Sequence, residues 1–361
     1  MSPKVVLITG VAGDLGGRLL ARLSADPGVE RVIGVDTAPP RRTGTPPHGT
    51  GTARPAGPVP GDVDRDVDHA EFVRLDIRDP LVAKVVNSAK VDTVVHVGAA
   101  CRPAAPGRRA ARKEVNVLGT MRLLAACQRS PHVRRLVVAS TAAVYGASPR
   151  SQAVFTEDSE LIPDDARGYA KDAVEVEGYV RGFARRRPDV TVTTARLADI
   201  VGGGFDTVFA RYLGLPVVPT AFGFDARLQL LHAEDAVAVL ERAALTDRPG
   251  VVNVGGDGVL TVSQAVRRAG RVELPVPRTV LPSFGAVLRG ARAVDLSSEN
   301  ARLLSFGRVL DTTRLRREFG HTPRWTTREA LDDHLRDHPP VPGSDALVRM
   351  LDAAHRRRTV L

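Results

Sequence analysis

A cluster of glycines near the amino terminus has the spacing of a phosphate-binding turn. The stretch "TGVAGDLGG" places Gly10, Gly13 and Gly16 at three-residue intervals, between an apolar run and a helical pattern. Glycine permits a tight turn and a close backbone approach, and a helix N-terminus offers unpaired N–H groups to a pyrophosphate. The pattern therefore predicts a dinucleotide site, although the glycines alone would also suit a plain strand-to-helix turn.

An acidic residue at the end of the second apolar run supports the dinucleotide interpretation. Asp36 closes "VIGVD", about 20 residues after the last of the three glycines. A carboxylate at that place accepts both hydroxyls of the adenosine ribose and repels a 2′-phosphate, which favours NAD over NADP. Arg41 and Arg42 follow closely and would oppose this preference if their loop folded back.

The segments that must position these residues alternate between buried strands and helices. Continuous Val/Ile/Leu runs are typical of strands covered on both faces, so we expect a parallel sheet. The alternation predicts an α/β fold, a Rossmann-like doubly wound parallel sheet with a smaller C-terminal substrate-binding region. The predicted strands are "KVVLITG", "RVIGVD", "FVRLD", "DTVVHVGA", "RRLVVAST" and "TVTTARLA", and the predicted helices are "DLGGRLLARLSAD", "PLVAKVVNSA" and "NVLGTMRLLAACQRS".

The chain divides into two main regions and a tail. We expect residues 1–189 to form the NAD-binding domain and residues 190–335 to form most of the substrate-binding region, with crossovers between them. Residues 39–68 are rich in Pro, Gly and Thr with almost no large apolar side chain, so we predict a disordered insertion there. Residues 336–361 form a tail with a Pro-rich hinge, which either docks on the fold or stays mobile.

The composition excludes several classes of protein. The two cysteines show no C-x-x-C spacing, which argues against a disulfide framework or a metal site and fits a reducing cytoplasm. No stretch approaches the roughly 18 apolar residues of a membrane span. The net charge of +10 comes from scattered arginines with only 4% aromatic residues. We therefore expect a small diphosphate-bearing partner, and neither a nucleic acid nor a membrane.

Nine motifs follow one another between residues 4 and 335. "TGVAGDLGG" fits T-G-x-x-G-x-x-G, "RLDIRDP" fits D-I/L-x-D, "VVHVGAA" fits H-x-A-A, "NVLGT" fits N-V-x-G-T and "ASTAAVYG" fits S-S/T-x-x-V-Y-G. "RLADIVGGG", "LQLLHAEDAVAVL", "VVNVGGDGVLTVSQA" and "DTTRLRREFGHTPRWTTREAL" complete the series. In this order they resemble the NAD-dependent epimerase/dehydratase family of extended short-chain dehydrogenases/reductases, which contains UDP-glucose 4-epimerase. The resemblance is closest to an actinobacterial branch with an incomplete active site.

The resemblance implies NAD as the cofactor, a nucleotide sugar as the substrate and a homodimer. It implies that "NVLGTMRLLAACQRS" and "GYAKDAVEVEGYVRGFARR" form the dimer contact. It also implies a set of cofactor-binding residues, in which Asp76 and Ile77 contact the adenine. This set is Gly10, Gly13, Asp14, Leu15, Gly16, Asp36, Asp76, Ile77, Val97, Gly98, Ala99, Asn116 and Lys171.

The resemblance further assigns Thr141 and Lys171 to catalysis. In this family a hydroxyl is oxidised by hydride transfer while a tyrosine takes its proton, and a nearby lysine lowers the pKa of that tyrosine from about 10 toward neutrality. Thr141 would orient the substrate, and Lys171 would also hold the nicotinamide ribose. The alternatives are that Thr141 is only a strand-end residue and that Lys171 is a surface helix lysine.

Arg167 stands where the family has its tyrosine, four residues before Lys171 in "RGYAK". A guanidinium stays protonated and has no acceptor, so it is not a general base. Arg167 either binds an anionic group of a ligand or is solvated at the start of a helix. Tyr169 lies two residues from Lys171, about 200° around a helix, and would replace the missing tyrosine only from a loop. We expect Tyr145 to pack near the substrate without reaching its hydroxyl.

The substrate side departs from the family at a second position. Asp199 stands where the family has Asn. The change removes a hydrogen-bond donor and adds a negative charge, which disfavours the binding of an anionic sugar nucleotide. Three functions stay open: an NAD-dependent epimerase/dehydratase-like enzyme, a catalytically weak NAD-binding regulator or sensor, and a short-chain reductase of a small carbonyl or steroid-like substrate. The resemblance favours the first, with the proton passing through Thr141, water or a displaced tyrosine.

Overall fold

The structure, a computed structural model, describes residues 4–40, 70–97, 113–162, 168–205, 207–281 and 298–336. The insertion predicted at residues 39–68 lies outside the described residues apart from its first two. The predicted site residues Gly98, Ala99 and Arg167 also lie outside them, as does the tail beyond residue 336.

Every strand and helix predicted from the alternation is present. The strands are β1 (Val5–Thr9), β2 (Arg31–Asp36), β3 (Ala70–Arg74), β4 (Thr93–His96), β5 (Arg135–Thr141), β6 (Thr191–Leu197), β7 (Asp199–Val201), β8 (Val217–Ala221), β9 (Arg227–Leu228), β10 (Leu230–His232), β11 (Gly250–Val254), β12 (Leu260–Thr261) and β13 (Val272–Val276). The helices are α1 (Asp14–Ser24), α2 (Leu81–Ser88), α3 (Gly119–Arg129), α4 (Tyr169–Arg186), α5 (Val208–Leu213), α6 (Ala233–Leu245), α7 (Val262–Arg268), α8 (Ser298–Phe306), α9 (Thr313–Arg317) and α10 (Thr327–Arg336). A π-helical turn, Glu114–Leu118, leads into α3, and a 3₁₀ turn, Ala142–Tyr145, follows β5.

A seven-stranded sheet in the order β11-β6-β5-β4-β1-β2-β3 forms the centre of the fold. All neighbouring strands in it run parallel. The strand order reverses between β1 and β4, and in such sheets ligands bind outside the carboxyl ends at that point. The parallel sheet predicted from the apolar runs is confirmed.

Helices cover both faces of this sheet, and side chains alternate between the two layers. In β1, Val6 and Ile8 belong to the apolar layer that contains residues of α1 and α6, whereas Leu7 belongs to the layer formed by α2, α3 and α4. All three side chains are fully buried. This period of two, with apolar residues on both faces, explains why the strands are continuous Val/Ile/Leu runs.

A second, smaller unit has its own apolar cluster, built from residues after 200. Its largest buried side chain is Tyr212 on α5, whose hydroxyl donates to the Pro219 carbonyl at 2.9 Å. The strands β6 and β11 also follow residue 190 in the chain, yet they complete the large sheet. None of the described helices is both long and apolar enough to cross a membrane.

Candidate functional site

The glycine turn lies between β1 and α1, as its spacing predicts. Gly10 has a φ of +82°, in the left-handed region that favours glycine. A Cβ on Gly16 would collide with the Gly10 carbonyl, so only glycine lets α1 approach the end of β1 this closely. Gly13 caps α1 with its backbone, and Asp14 and Leu15 open the helix. The Leu15 side chain is buried in the core.

The carboxylate of Asp36 holds this turn from the end of β2. Its Oδ2 accepts from the Ala12 N–H at 3.0 Å, and its Oδ1 accepts from the Thr37 N–H at 2.7 Å. Leu75 N–H donates to the Asp36 carbonyl at 3.0 Å, so the segment after β3 meets the same point. The structure thus brings Asp36 and the glycine turn together at one edge of the sheet.

The two residues implied to contact adenine follow Leu75 directly. The Arg78 guanidinium donates to Asp76 Oδ2 from Nη2 at 2.7 Å, and this bond holds the pKa of the Asp76 carboxyl below its usual range. Ile77 packs beside Gly119, where an added Cβ would lie 2.5 Å from Ile77 Cγ2. Both residues are half-buried. Asp76 is therefore fixed by an ion pair, and Ile77 by its packing on α3.

A buried chain of hydrogen bonds joins β1 to the π-helical turn that contains Asn116. The Thr120 hydroxyl donates to the Asn116 carbonyl, so its oxygen accepts from His96 Nε2–H at 2.8 Å. The unprotonated Nδ1 of His96 then accepts from the Thr9 hydroxyl at 2.6 Å. Burial lowers the pKa of His96 to about 4, which keeps the ring neutral at physiological pH.

The same hydrogen-bonded region positions Val97, which follows β4 and is 2% exposed. Its N–H donates to the Thr9 carbonyl at 3.2 Å, so it lies beside the start of the glycine turn. Our sequence reasoning missed the roles of Thr9, His96 and Thr120. The signal was the histidine of "VVHVGAA" and the threonine of "NVLGT", which stand at fixed motif positions.

Thr141 ends β5, the second strand beyond β1 in the sheet. Its Oγ1 accepts from the Ala143 N–H at 3.2 Å and so caps the 3₁₀ turn that follows. This bond uses a lone pair of the oxygen and not the hydroxyl proton. Thr141 is half-buried, so its hydroxyl can serve as a donor to a substrate at the carboxyl edge of the sheet.

A buried polar network lies behind Thr141 and ties β5, α4 and β6 together. Ser140 donates to Glu177 Oε1 at 2.6 Å, and Arg196 donates to Glu177 Oε2 from Nη2 at 2.7 Å. Glu177 and Arg196 are 2% and 3% exposed. A buried charge of this kind is tolerated because it is paired and hydrogen-bonded. The end of β5 therefore has a fixed position against α4.

The Tyr145 hydroxyl belongs to the same network. It accepts from Arg196 Nη1 at 2.7 Å and donates to Asn253 Oδ1 at 2.7 Å. Tyr145 is 4% exposed, and burial raises the pKa of its hydroxyl. Its ring stacks on Phe155 with centroids 4.9 Å apart. Tyr145 is thus held in the buried network next to the end of β5.

Lys171 lies in the first turn of α4, which begins at Tyr169. Because Tyr169 is already helical, it lacks the loop freedom that it would need to replace the missing tyrosine beside Lys171. Gly168 precedes the helix with a φ of +114°. Glu299 on α8 accepts from the Tyr169 and Ala170 N–H groups, each at 3.1 Å. The later part of the chain therefore reaches the start of this helix.

Asp199 begins β7, and its charge is matched by an arginine that sequence reasoning did not single out. Arg308 Nη2 lies 3.5 Å from Asp199 Oδ2, and the arginine side chain is only 8% exposed. The carboxylate side chain is 36% exposed, so it can still meet a ligand. The pair leaves less net negative charge at this position than the sequence alone indicates.

Comparisons with known proteins agree with the fold and with the family that the motifs resemble. The sequence matches the NAD dependent epimerase/dehydratase family over residues 6–255. It is 48% identical over 334 residues to an uncharacterized protein of Mycobacterium tuberculosis (strain ATCC 25618 / H37Rv), an alignment that covers 92% of this chain and 84% of the relative.

Solved structures show the same architecture. MoeE5 in complex with UDP-glucuronic acid and NAD has a TM-score of 0.66 at 21% identity, covering 92% of this chain and 97% of the other. UDP-glucuronic acid 4-epimerase from Bacillus cereus, in complex with UDP-glucuronic acid and NAD, has a TM-score of 0.66 at 16% identity, covering 92% and 98%. At these identities the likeness establishes the fold.

The buried His96 predicts a pH dependence of stability. Because its pKa is lowered from 6.5 to about 4, the unfolded chain binds a proton in this window that the folded chain does not. Stability from His96 is therefore fully present above pH 6.5 and is lost as the pH falls toward 4, by about 3 kcal/mol. Urea unfolding of the unmutated protein and of His96→Gln between pH 7 and pH 4 measures this difference. If the free energy of unfolding fell equally with pH in the two proteins, the prediction would be contradicted.

The buried pair Arg196–Glu177 predicts a second stability difference. We expect Arg196→Met to lower the free energy of unfolding by about 3–5 kcal/mol, because it leaves Glu177 buried without its main partner. Arg181 provides a matched control, since it forms an ion pair with the same carboxylate at 3.7 Å but its side chain is 54% exposed. Arg181→Met should cost less than about 1 kcal/mol. Equal losses of unfolding free energy in the two variants would show that burial of the Arg196–Glu177 pair does not determine its contribution to stability.

Proposed function

We propose that this chain, which belongs to the NAD dependent epimerase/dehydratase family, uses NAD to oxidise a hydroxyl of a nucleotide sugar in an epimerase-like or dehydratase-like reaction. The observation that carries the proposal is the convergence of the glycine turn, Asp36 and Thr141 at the carboxyl edge of one parallel sheet. Two structures of similar fold contain UDP-glucuronic acid and NAD, which supports a nucleotide sugar as the substrate class.

The residues present fit NAD. The first turn of α1 offers backbone N–H groups to the pyrophosphate, since Gly16 allows the close approach and Gly13 caps the helix without a side chain. Asp36 would hold the adenosine ribose, and we expect NAD to bind more tightly than NADP for that reason. Lys171 would hold the nicotinamide ribose. When bound, NAD supplies the hydride acceptor for the oxidation.

The chain's own residues would bind and orient the substrate. Thr141 donates from its hydroxyl to the oxygen on the carbon that is oxidised, while the network behind it prevents the end of β5 from shifting. Lys171 contributes a positive charge near the reacting oxygen. Arg167 would bind an anionic group, because it has donors and no acceptor. Asp199 would accept from a sugar hydroxyl, with Arg308 beside it to balance its charge.

We also propose that two copies of the chain associate through α3 and α4. Three apolar side chains spaced three residues apart, Val115, Leu118 and Met121, are 37%, 48% and 40% exposed. They lie on the π-helical turn and the start of α3, which packs against α4. Burial of such side chains in a second copy would remove apolar surface from water.

The cofactor proposal predicts a loss of affinity in Asp36→Ala. We expect NAD binding to weaken about tenfold to a hundredfold, because a charged acceptor for the ribose and for the Ala12 N–H is removed. Isothermal titration with NAD and NADP measures both affinities. Asp26→Ala is the control, since Asp26 accepts from the Gly28 N–H at 2.7 Å in an exposed turn. The proposed preference fails if the unmutated protein binds NADP as tightly as NAD.

The catalytic proposal predicts that Thr141→Val loses turnover and keeps NAD. Incubation with NAD and a panel of UDP- and dTDP-sugars, with analysis of the sugar products, identifies the substrate. With that substrate we expect kcat to fall about a hundredfold or more in Thr141→Val, and to recover in Thr141→Ser, which keeps the hydroxyl. An unchanged rate in Thr141→Val would remove Thr141 from the mechanism. Tight NAD binding without turnover in the unmutated protein would instead favour an NAD-binding regulator.

A further inference from the structure

A cavity of about 830 Å³ is formed by the loop that follows β11, by α7 and by the start of α10. None of the residues that line it belongs to the proposed cofactor or catalytic set. The strand β11 lies four positions from β1 in the sheet, which at about 4.8 Å per strand is roughly 19 Å from the glycine turn. A cavity of this size is large enough for a small-molecule ligand. The residues that carry the argument are Asp257, Val259, Gln264, Arg267, Arg268 and Arg328.

Contacts between the three segments hold the walls of the cavity in place. The Thr327 N–H donates to the Asp257 carbonyl at 2.7 Å, which ties the loop to the start of α10. Arg268 donates to Asp332 Oδ2 from Nη2 at 2.5 Å, which ties α7 to α10. Both helices also contribute side chains to the apolar cluster of the smaller unit. The cavity is therefore formed before any ligand arrives.

The charges that line the cavity do not cancel. Its carboxylate, Asp257, forms an ion pair with Arg316 of α9 and is thereby neutralised. Arg267 Nη2 donates to the Ser263 hydroxyl at 3.4 Å, a long bond that brings no opposite charge. Arg328 is exposed and has neither a hydrogen bond nor an ion pair from its side chain to any residue that the structure describes. Two guanidinium charges are therefore available to an anion.

The neutral groups of the cavity also offer donors more than acceptors. Gln264 Oε1 accepts from the Thr261 N–H at 3.0 Å in the capping box of α7, so its amide group has its two N–H donors left. Glu329, which follows Arg328, accepts from the Thr326 N–H and hydroxyl at 2.8 Å each and does not line the cavity. A site rich in donors and positive charge matches a phosphate group, whose oxygens are acceptors.

We propose that this cavity binds a small organic phosphate, with its phosphate groups on Arg267 and Arg328. A guanidinium bonds two phosphate oxygens at once, so the two side chains together suit a ligand with more than one phosphate. Val259 lines the same cavity and is 41% exposed, and it gives the organic part of the ligand an apolar surface. The site is separate from those proposed for NAD and for the nucleotide sugar, and binding there requires no turnover.

The first test is isothermal titration of the full-length protein with ATP, in the presence of saturating NAD and UDP. We expect ATP to bind at one site, with Kd rising about tenfold in Arg267→Gln and in Arg328→Gln, because each variant loses charge-assisted hydrogen bonds. Arg324→Gln is the matched control. It removes the same charge from an exposed residue just before α10 that does not line the cavity, so its Kd should stay within about twofold.

The second test separates the phosphate groups from the organic part of the ligand. Inorganic tripolyphosphate, which has no organic part, should bind more weakly than ATP and should show the same dependence on Arg267 and Arg328. Val259→Ser should weaken ATP binding about threefold and leave tripolyphosphate binding unchanged, because it removes apolar surface and no charge. Unchanged ATP binding in Val259→Ser would overturn the contact with the organic part.

Three outcomes would overturn the site itself. The first is that ATP and tripolyphosphate do not bind while NAD and UDP are present. The second is an equal rise of Kd in Arg324→Gln and Arg328→Gln, which would show attraction to a basic surface in general. The third is displacement of ATP by UDP, which would place the phosphates in the nucleotide-sugar site. NAD affinity and urea unfolding of each variant, which should match those of the unmutated protein, show that a change in ATP binding is local.

Discussion

The lack of a side chain at Gly16 is the constraint on which the turn between β1 and α1 depends. Any Cβ at that position would collide with the Gly10 carbonyl, so α1 can begin against the end of β1 only with glycine there. Asp36 then braces the turn through the Ala12 N–H, and the neighbouring Thr9 is anchored to His96 in the next strand. Three parallel strands thereby present their ends at one place, with the positive end of α1 directed at it.

The junction of β5, α4 and β6 is held by buried charge rather than by close backbone contacts. Glu177 and Arg196 join α4 to β6, and Ser140 joins the same pair to β5. Glu299 adds a second support at the start of α4. The helix that carries Lys171 is thus positioned at both its first turn and its middle.

The sequence was most informative where the determinants are local. Continuous Val/Ile/Leu runs predict buried parallel strands, and three glycines before a helix predict the turn at Gly10–Gly16, because each pattern acts within a few residues. The motif order also locates Thr141 and Lys171 on their elements. Asp199 was recognised as a departure, but its partner Arg308 is more than 100 residues away and no local pattern connects them.

Long-range polar contacts account for what sequence reasoning missed. The approach of Glu299 to Tyr169 spans 130 residues, and the Tyr145 hydroxyl meets Asn253 across 108. Tyr145 was expected to pack near the substrate without reaching its hydroxyl. What the sequence did not indicate is the pairing of the Tyr145 hydroxyl with Arg196 and Asn253, which arises because a phenol enclosed in a core must find partners. Such pairings depend on where α8 and β11 lie in the folded chain, which no single motif encodes.

The most direct measurement is the nicotinamide absorbance during a single turnover, with excess protein, NAD and the preferred nucleotide sugar, for the unmutated protein beside Arg167→Tyr. We predict that the unmutated protein forms reduced nicotinamide with Arg167 in place and that the tyrosine variant forms it faster, because a better base is restored beside Lys171. Tight NAD binding with no reduced nicotinamide in the unmutated protein, and its appearance only in Arg167→Tyr, would contradict the account and show a fold that binds its cofactor without catalysis.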